Sequence, residues 1–334
     1  MNPAFEASIR QKPPERFEKA VASLYGAIAA ALFLWMIFDN FDDVRIAVAT
    51  ALIFALGTPM WSTATRALWE HGPLNLMLIV AMLLLLNARR SGALAQYASI
   101  PLALSFIMRP TAAIPIAVFS GYVLVYYRAW FVRFMLWAAC IAVPWVAFNV
   151  RTWGMVLSPY YLRYELGDNS TFGEALLANL ISPARGLFVF SPVLIFAISG
   201  FWIAMRTRDG RPLHIAFGLI IFLHWILVSH FPQWWGGWCF GPRYMSDVLP
   251  FLCYFLAFTL HWCLSAYSPQ RVLAAACIAG LAAVSIFIHA QGALRVGPKQ
   301  WNTDPDIDTH LARVWDWNDL QFARHFRASV PLNP

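Results

Sequence analysis

"QWWGGWCFGPRY", residues 233–244, packs three Trp, three Gly, one Pro and one Arg into twelve residues. One apolar run, 212–230, leads into it and another, 244–266, leads away. A short turn between two such runs reads as the connection between two membrane helices. Trp suits such an edge, because its ring is apolar while its N–H seeks water or headgroups. Gly236, Gly237 and Gly241 permit backbone angles that other residues resist, and Pro242 suits the first turn of a helix. Arg243 then stands at the start of the second run, where free N–H groups and the helix dipole attract anions. A guanidinium there favours phosphate or carboxylate further. The competing reading pairs Arg243 with Asp247 one turn later, in the weaker order for a helix.

The rest of the chain reads the same way. Of 334 residues, 60% are hydrophobic and 12% charged, with sixteen Trp and a mean hydropathy of +0.58. Soluble domains carry roughly 25% charged residues. The composition predicts an all-α polytopic membrane protein with about ten transmembrane or re-entrant helices. We place them at 20–38, 44–58, 73–88, 93–108, 111–127, 130–149, 187–205, 212–230, 244–266 and 271–289. Several fall short of the ~20 residues that span a bilayer, so 44–58 and 93–127 are expected to be tilted, broken or re-entrant. Three parts follow: a polar tail 1–19, a membrane domain 20–289 with a long outer loop at 150–186, and an outer-side tail 290–334. The net charge of +7 is spread over short loops and does not suggest nucleic acid. The five Cys include no CxxC, which argues against a disulfide framework or zinc site.

Orientation follows the arginines. "DDVR", "NARRSG", "YYRAWFVR", "RTRDGR" and "SPQR" are short connections holding nine Arg. The positive-inside rule assigns them to the cytoplasm. The 150–186 loop, the Trp-rich turn and the C-terminal tail then lie outside, and so does the N-terminus, although Arg10, Lys12, Arg16 and Lys19 pull it inward.

On the outer side, more arginines sit beside Gly, Pro or Trp. "ISPARGLFVFSP" (181–192) holds Arg185, "FIMRPTAAIP" (106–115) holds Arg109, and "GTPMWSTATRALWEHGP" (57–73) brings Arg66, Glu70 and His71. Together with Arg243 these arginines are expected to line one anion-binding cavity, supported by His71, Trp234, Trp235, Trp238, Tyr244 and Asp247. "DPDID" (304–308) contains the Asp-x-Asp that can hold a divalent cation, but it lies in a polar tail and reads as structural. No cofactor is otherwise implied, and no metal site is expected at His224 and His230, which are six residues apart. The tail segment "WDWNDLQFARHF" mixes Asp and Arg among aromatics and is expected to cap the outer cavity.

These stretches, with "SPARGLFVFSP", "WWGGWCFGPRYMSDVLPF" and the tail's "RVWDWNDLQF", resemble bacterial multi-pass proteins of the C-type glycosyltransferase superfamily. The nearest groups are those similar to protein O-mannosyltransferases and aminoarabinose transferases. The resemblance runs from about residue 18 to 325. It implies a polyprenyl-phosphate-linked sugar as donor, transfer on the periplasmic side of a bacterial inner membrane, and a glycan, lipid or protein acceptor. It also implies an acidic base in the first outer loop, after the first helix. That helix and loop are not found ahead of residue 20, and "DNFDD" (39–43) falls on the opposite side. Glu70 is therefore the expected base, with Asp247, Glu165 and Asp168 behind it. The alternative is a non-catalytic lipid-phosphate-binding or scaffold protein of envelope glycan assembly.

Overall fold

A computed structural model describes residues 14–158, 169–208 and 210–326. Among them the chain is all-α, with only an isolated bridge between Thr303 and Asp306. The main helices are α1 (Glu15–Phe41), α2 (Val44–Leu56), α3 (His71–Asn87), α4 (Ser99–Met108), α5 (Ala113–Tyr126) and α6 (Arg128–Trp153). They continue as α7 (Phe172–Ile181), α8 (Leu187–Phe190), α9 (Phe196–Ala204), α10 (Arg211–Ser229), α11 (Leu249–Leu264), α12 (Pro269–Leu294) and α13 (Gly297–Gln300).

Among the described residues, five segments are long and apolar enough to cross a membrane: α1, α6, α10, the run Arg243–Leu264 and α12. The chain is a helical membrane protein. The expected ten spans are not matched by ten full-length helices. Five of them, at 44–58, 73–88, 93–108, 111–127 and 187–205, are shorter apolar helical runs of 10–17 residues. A further short helix, α7, lies inside the expected long outer loop; residues 159–168 of that loop, including Glu165 and Asp168, fall outside the described residues.

The shortening has local causes. In the 93–108 run, Gly92–Ala98 winds as a tight 3₁₀ stretch before α4 begins. Ser191 and Pro192 break the 187–205 run into α8, a 3₁₀ turn and α9. Pro110 removes a backbone donor and disfavours helical angles at the residue before it. Arg109 is accordingly extended, at φ −149° and ψ 129°, between α4 and the turn that starts α5. That extended residue turns the Arg109 side chain into the protein.

Burial separates the helices. Of the most apolar 18 residues of α6 only 6% are buried, whereas of those of Arg243–Leu264 83% are. Thus α11 is the centre, packed against α2, α9 and α12, and α6 is a peripheral helix. A Cβ at Gly200 would lie 1.8 Å from the Phe255 carbonyl oxygen, so glycine is what lets α9 reach α11. Close approach at small residues is how helices associate where lipid removes the hydrophobic drive.

The Arg-bearing connections gather at one end. Arg90 pairs with Asp39 at 2.7 Å, Arg89 donates to Asn40 at 3.0 Å, and the Phe41 ring meets His261. The opposite end carries residues 57–70, the α4–α5 corner, the Trp-rich turn and the C-terminal tail. The tail is folded: Trp301, Ile307 and Val314 form a small buried cluster with Trp234, Ala175, Ala178 and Ala184. It lies over the Trp-rich turn rather than over the cavity described below.

Candidate functional site

The Trp-rich turn is built on three left-handed glycines, Gly236 (φ 76°), Gly237 (φ 62°) and Gly241 (φ 60°). Residues 243–248 then wind as a 3₁₀ turn, and α11 starts only at Leu249. Arg243 therefore does not stand at an α-helix N-terminus. Its own N–H donates to the Gly241 carbonyl at 2.9 Å.

The expected four-arginine cavity resolves into two arginines and two structural ones. Arg109 and Arg243 line one cavity of about 420 Å³, together with Glu70, Thr111, Gln233 and Tyr244. Ile114, Leu157, Leu227 and Phe231 give it an apolar side. The volume lies in the range of small-molecule pockets, and mostly apolar walls with few polar groups are their usual make-up.

Arg185 is elsewhere. It is 1% exposed and donates to the carbonyls of Trp235, Ala184 and Gly237 and to the side-chain oxygens of Asn302 and Gln321, at 2.6–3.2 Å. No carboxylate pairs with it among the described residues, and burial draws its pKa down. Gln321 completes the clasp by donating to Cys239 and accepting from the Gly241 N–H. Arg185 thus ties the Trp-rich turn to the tail. Arg66 donates to the carbonyls of Gly292 and Ala293 at 2.6 and 2.7 Å. That is a cation on the free carbonyl end of α12.

Trp234, Trp235 and Trp238 also fall outside the cavity wall. Their indole N–H groups donate to Thr171, Asp308 and Asp306. The Asp-x-Asp of the tail is therefore occupied by indoles, and no group of three or more His, Cys, Asp or Glu is arranged for a metal among the described residues.

Behind the cavity wall lies a buried polar cluster. Asp247, 4% exposed, accepts from His71 Nδ1 at 2.8 Å and from Thr111 Oγ1 at 2.9 Å. Its Oδ2 is 3.3 Å from Arg109 Nε and 3.9 Å from His224 Nε2. Its ion-pair partner is thus Arg109, not Arg243 as the one-turn spacing suggested. Such a buried charge cluster is costly unless its members satisfy one another. Arg243 packs 4.3 Å over the Trp69 ring, and its Nε lies 3.3 Å from His71 Nε2. The Tyr244 ring lies 5.9 Å from both guanidiniums.

Glu70 sits one residue before α3, with a carboxylate oxygen 3.8 Å from Arg109 Nε. Burial pushes its carboxyl above the ordinary range, against the opposing pull of Arg109 and Arg243. A carboxyl whose pKa is raised above its ordinary value suits proton transfer.

Thr111, His224 and Trp69 were absent from the sequence-level site. Thr111 lies in the "RPT" that carries Arg109, and a polar residue beside a buried Arg was a usable signal. His224, on α10, donates to the Tyr244 carbonyl of the 3₁₀ turn at 2.8 Å, a pairing that spacing along the chain does not reveal. No family model, curated protein or solved structure matches the chain.

Proposed function

We propose that the chain is a membrane glycosyltransferase-like protein that takes a sugar from a polyprenyl-phosphate donor in a bacterial inner membrane. The observation that carries this reading is the meeting of Arg109, Arg243 and Glu70 on one cavity with an apolar side. The sequence resemblance to C-type glycosyltransferases supports the same substrate class.

Arg243, unpaired with any carboxylate among the described residues, binds the phosphate; Arg109 adds to it. Both stabilise the negative charge that grows on the phosphate as the sugar leaves. Glu70 takes the proton from the acceptor hydroxyl. The acceptor oxygen bonds to the anomeric carbon, and the bond from that carbon to the phosphate oxygen breaks with its electron pair going to phosphate. The apolar side formed by Ile114, Leu227 and Phe231 takes the first isoprene units.

The test is release of free polyprenyl phosphate from a polyprenyl-phosphate hexose, with bacterial lipid extract as acceptor. Wild type is expected to release it. Glu70→Gln is expected to bind the donor and release none. Donor binding without release by wild type selects the alternative, a lipid-phosphate-binding protein without transfer. Absence of donor binding contradicts both.

A further inference from the structure

Arg243 makes no ion pair with a carboxylate among the described residues, yet something must hold its guanidinium in place. His71 is 1% exposed and stands between Arg243 and Asp247. Its Nδ1 faces the Asp247 carboxylate at 2.8 Å, and its Nε2 faces the Nε of Arg243 at 3.3 Å. A carboxylate only accepts and an arginine Nε only donates. These two neighbours fix the ring completely: Nδ1 carries the proton, Nε2 offers its lone pair, and the imidazole is neutral. Arg109 does not disturb this assignment. Its Nη1 lies 2.9 Å from both ring nitrogens. An in-plane donor equidistant from both would collide with Cε1, so the guanidinium lies over the ring face.

We infer that His71 is a positioning residue: a neutral bridge through which buried Asp247 orients Arg243 without cancelling its charge. The inference deepens the phosphate-binding reading above and rests on it only for the identity of the ligand. One carboxylate then serves both arginines in different ways. It neutralises Arg109 directly, through Oδ2 at 3.3 Å. It aims Arg243 indirectly, through the ring. Arg243 lines the cavity free of a direct ion pair and held in orientation, available to a phosphate ester. Trp69 covers the other side of that guanidinium at 4.3 Å.

The arrangement predicts an effect of Asp247 on a residue it does not pair with. In Asp247→Asn, the amide oxygen stays toward Arg109 and the Thr111 hydroxyl, both donors. The amide NH₂ then faces His71 Nδ1, which must accept. The ring proton moves to Nε2, and Nε2 can no longer accept from Arg243.

The experiment measures the rate of phenylglyoxal modification of Arg243 by peptide mass spectrometry, in detergent, for folded variants. His71→Gln can offer an amide oxygen near the Nε2 position; His71→Asn can only replace the bond to Asp247. Arg243 is expected to react severalfold faster in His71→Asn and in Asp247→Asn than in wild type, with His71→Gln close to wild type. Should His71→Asn fail to fold, Asp247→Asn against His71→Gln makes the same comparison. Equal rates across wild type, Asp247→Asn and the His71 variants would overturn the inference. Protection of wild-type Arg243 by farnesyl phosphate tests the ligand separately: loss of protection in His71→Asn but not His71→Gln is expected. No protection in wild type contradicts the phosphate reading while the modification rates still decide the role of His71.

Discussion

Replacing Arg185 should damage the fold, whereas replacing Arg243 should not. The Arg185 guanidinium makes five hydrogen bonds, three to backbone carbonyls and two to side-chain oxygens. In Arg185→Ala all five acceptors lose a charged donor in a site that water does not reach. Hydrogen bonds to charged groups contribute about 1.5–3 kcal/mol each. Against that stands the relief of no longer burying a cation without a carboxylate, worth several kcal/mol. The acceptors left behind are neutral oxygens, and each one left buried without a donor costs about 1–3 kcal/mol, so the balance is a net loss of a few kcal/mol. Lysine cannot span five acceptors with a single ammonium, so Arg185→Lys should recover only part. The assay is thermal unfolding in detergent together with limited proteolysis of the tail, which Arg185 clasps through Asn302 and Gln321. A strongly lowered midpoint and a tail cut early are expected for Arg185→Ala, with Arg243→Ala close to wild type in both. A stable Arg185→Ala protein with an intact tail would refute the assignment of Arg185 as a structural clasp.

Other perturbations follow from the same geometry. Glu70→Gln should lower transfer by about 10²–10⁴-fold, the usual contribution of a general base, with donor binding kept. Because burial raises the Glu70 pKa, the acid limb of the wild-type rate profile should lie above the ordinary carboxylate value, activity falling as pH falls through it; the rate of polyprenyl phosphate release at stepped pH reads this. The raised value also means that neutral Glu70 favours the fold. That stability is full below the unfolded pKa and lost as pH rises through the folded one, and Glu70→Gln should remove this slope from the unfolding midpoint. Gly200→Val places a side chain on the Phe255 carbonyl, where even a Cβ sits at 1.8 Å; overpacking of this kind costs about 1–3 kcal/mol or more, visible as a lowered midpoint. Arg66→Ala uncaps α12 and should cost about 1 kcal/mol, with faster amide exchange at residues 291–295 and no change in ligand binding.

Much of the architecture was legible in the residues. The apolar runs found α1, α6, α10, α11 and α12, because a helix in lipid must be apolar along its whole length. The glycines of the Trp-rich turn announced left-handed backbone. Pro110 announced the corner that turns Arg109 inward. What stayed hidden was partnership across the bundle. Arg66, Arg109, Arg185 and Arg243 share one sequence signature, a guanidinium with Gly, Pro or Trp within three residues, yet two of them bind backbone carbonyls and two line a cavity. Nothing in the local sequence separates those roles, because the acceptors of Arg66 lie 226 and 227 residues away along the chain and those of Arg185 up to 136. Helical spacing offered a pairing of Asp247 with Arg243 as the competing reading; residues 243–248 wind as a 3₁₀ turn, and Asp247 meets Arg109 and His71 instead.

The most direct test of the cavity as a phosphate site is the affinity of a polyprenyl phosphate for wild type, Arg243→Ala and Arg66→Ala in one set of titrations. The account predicts at least tenfold weaker binding for Arg243→Ala and unchanged binding for Arg66→Ala. Equal binding by wild type and Arg243→Ala would contradict it.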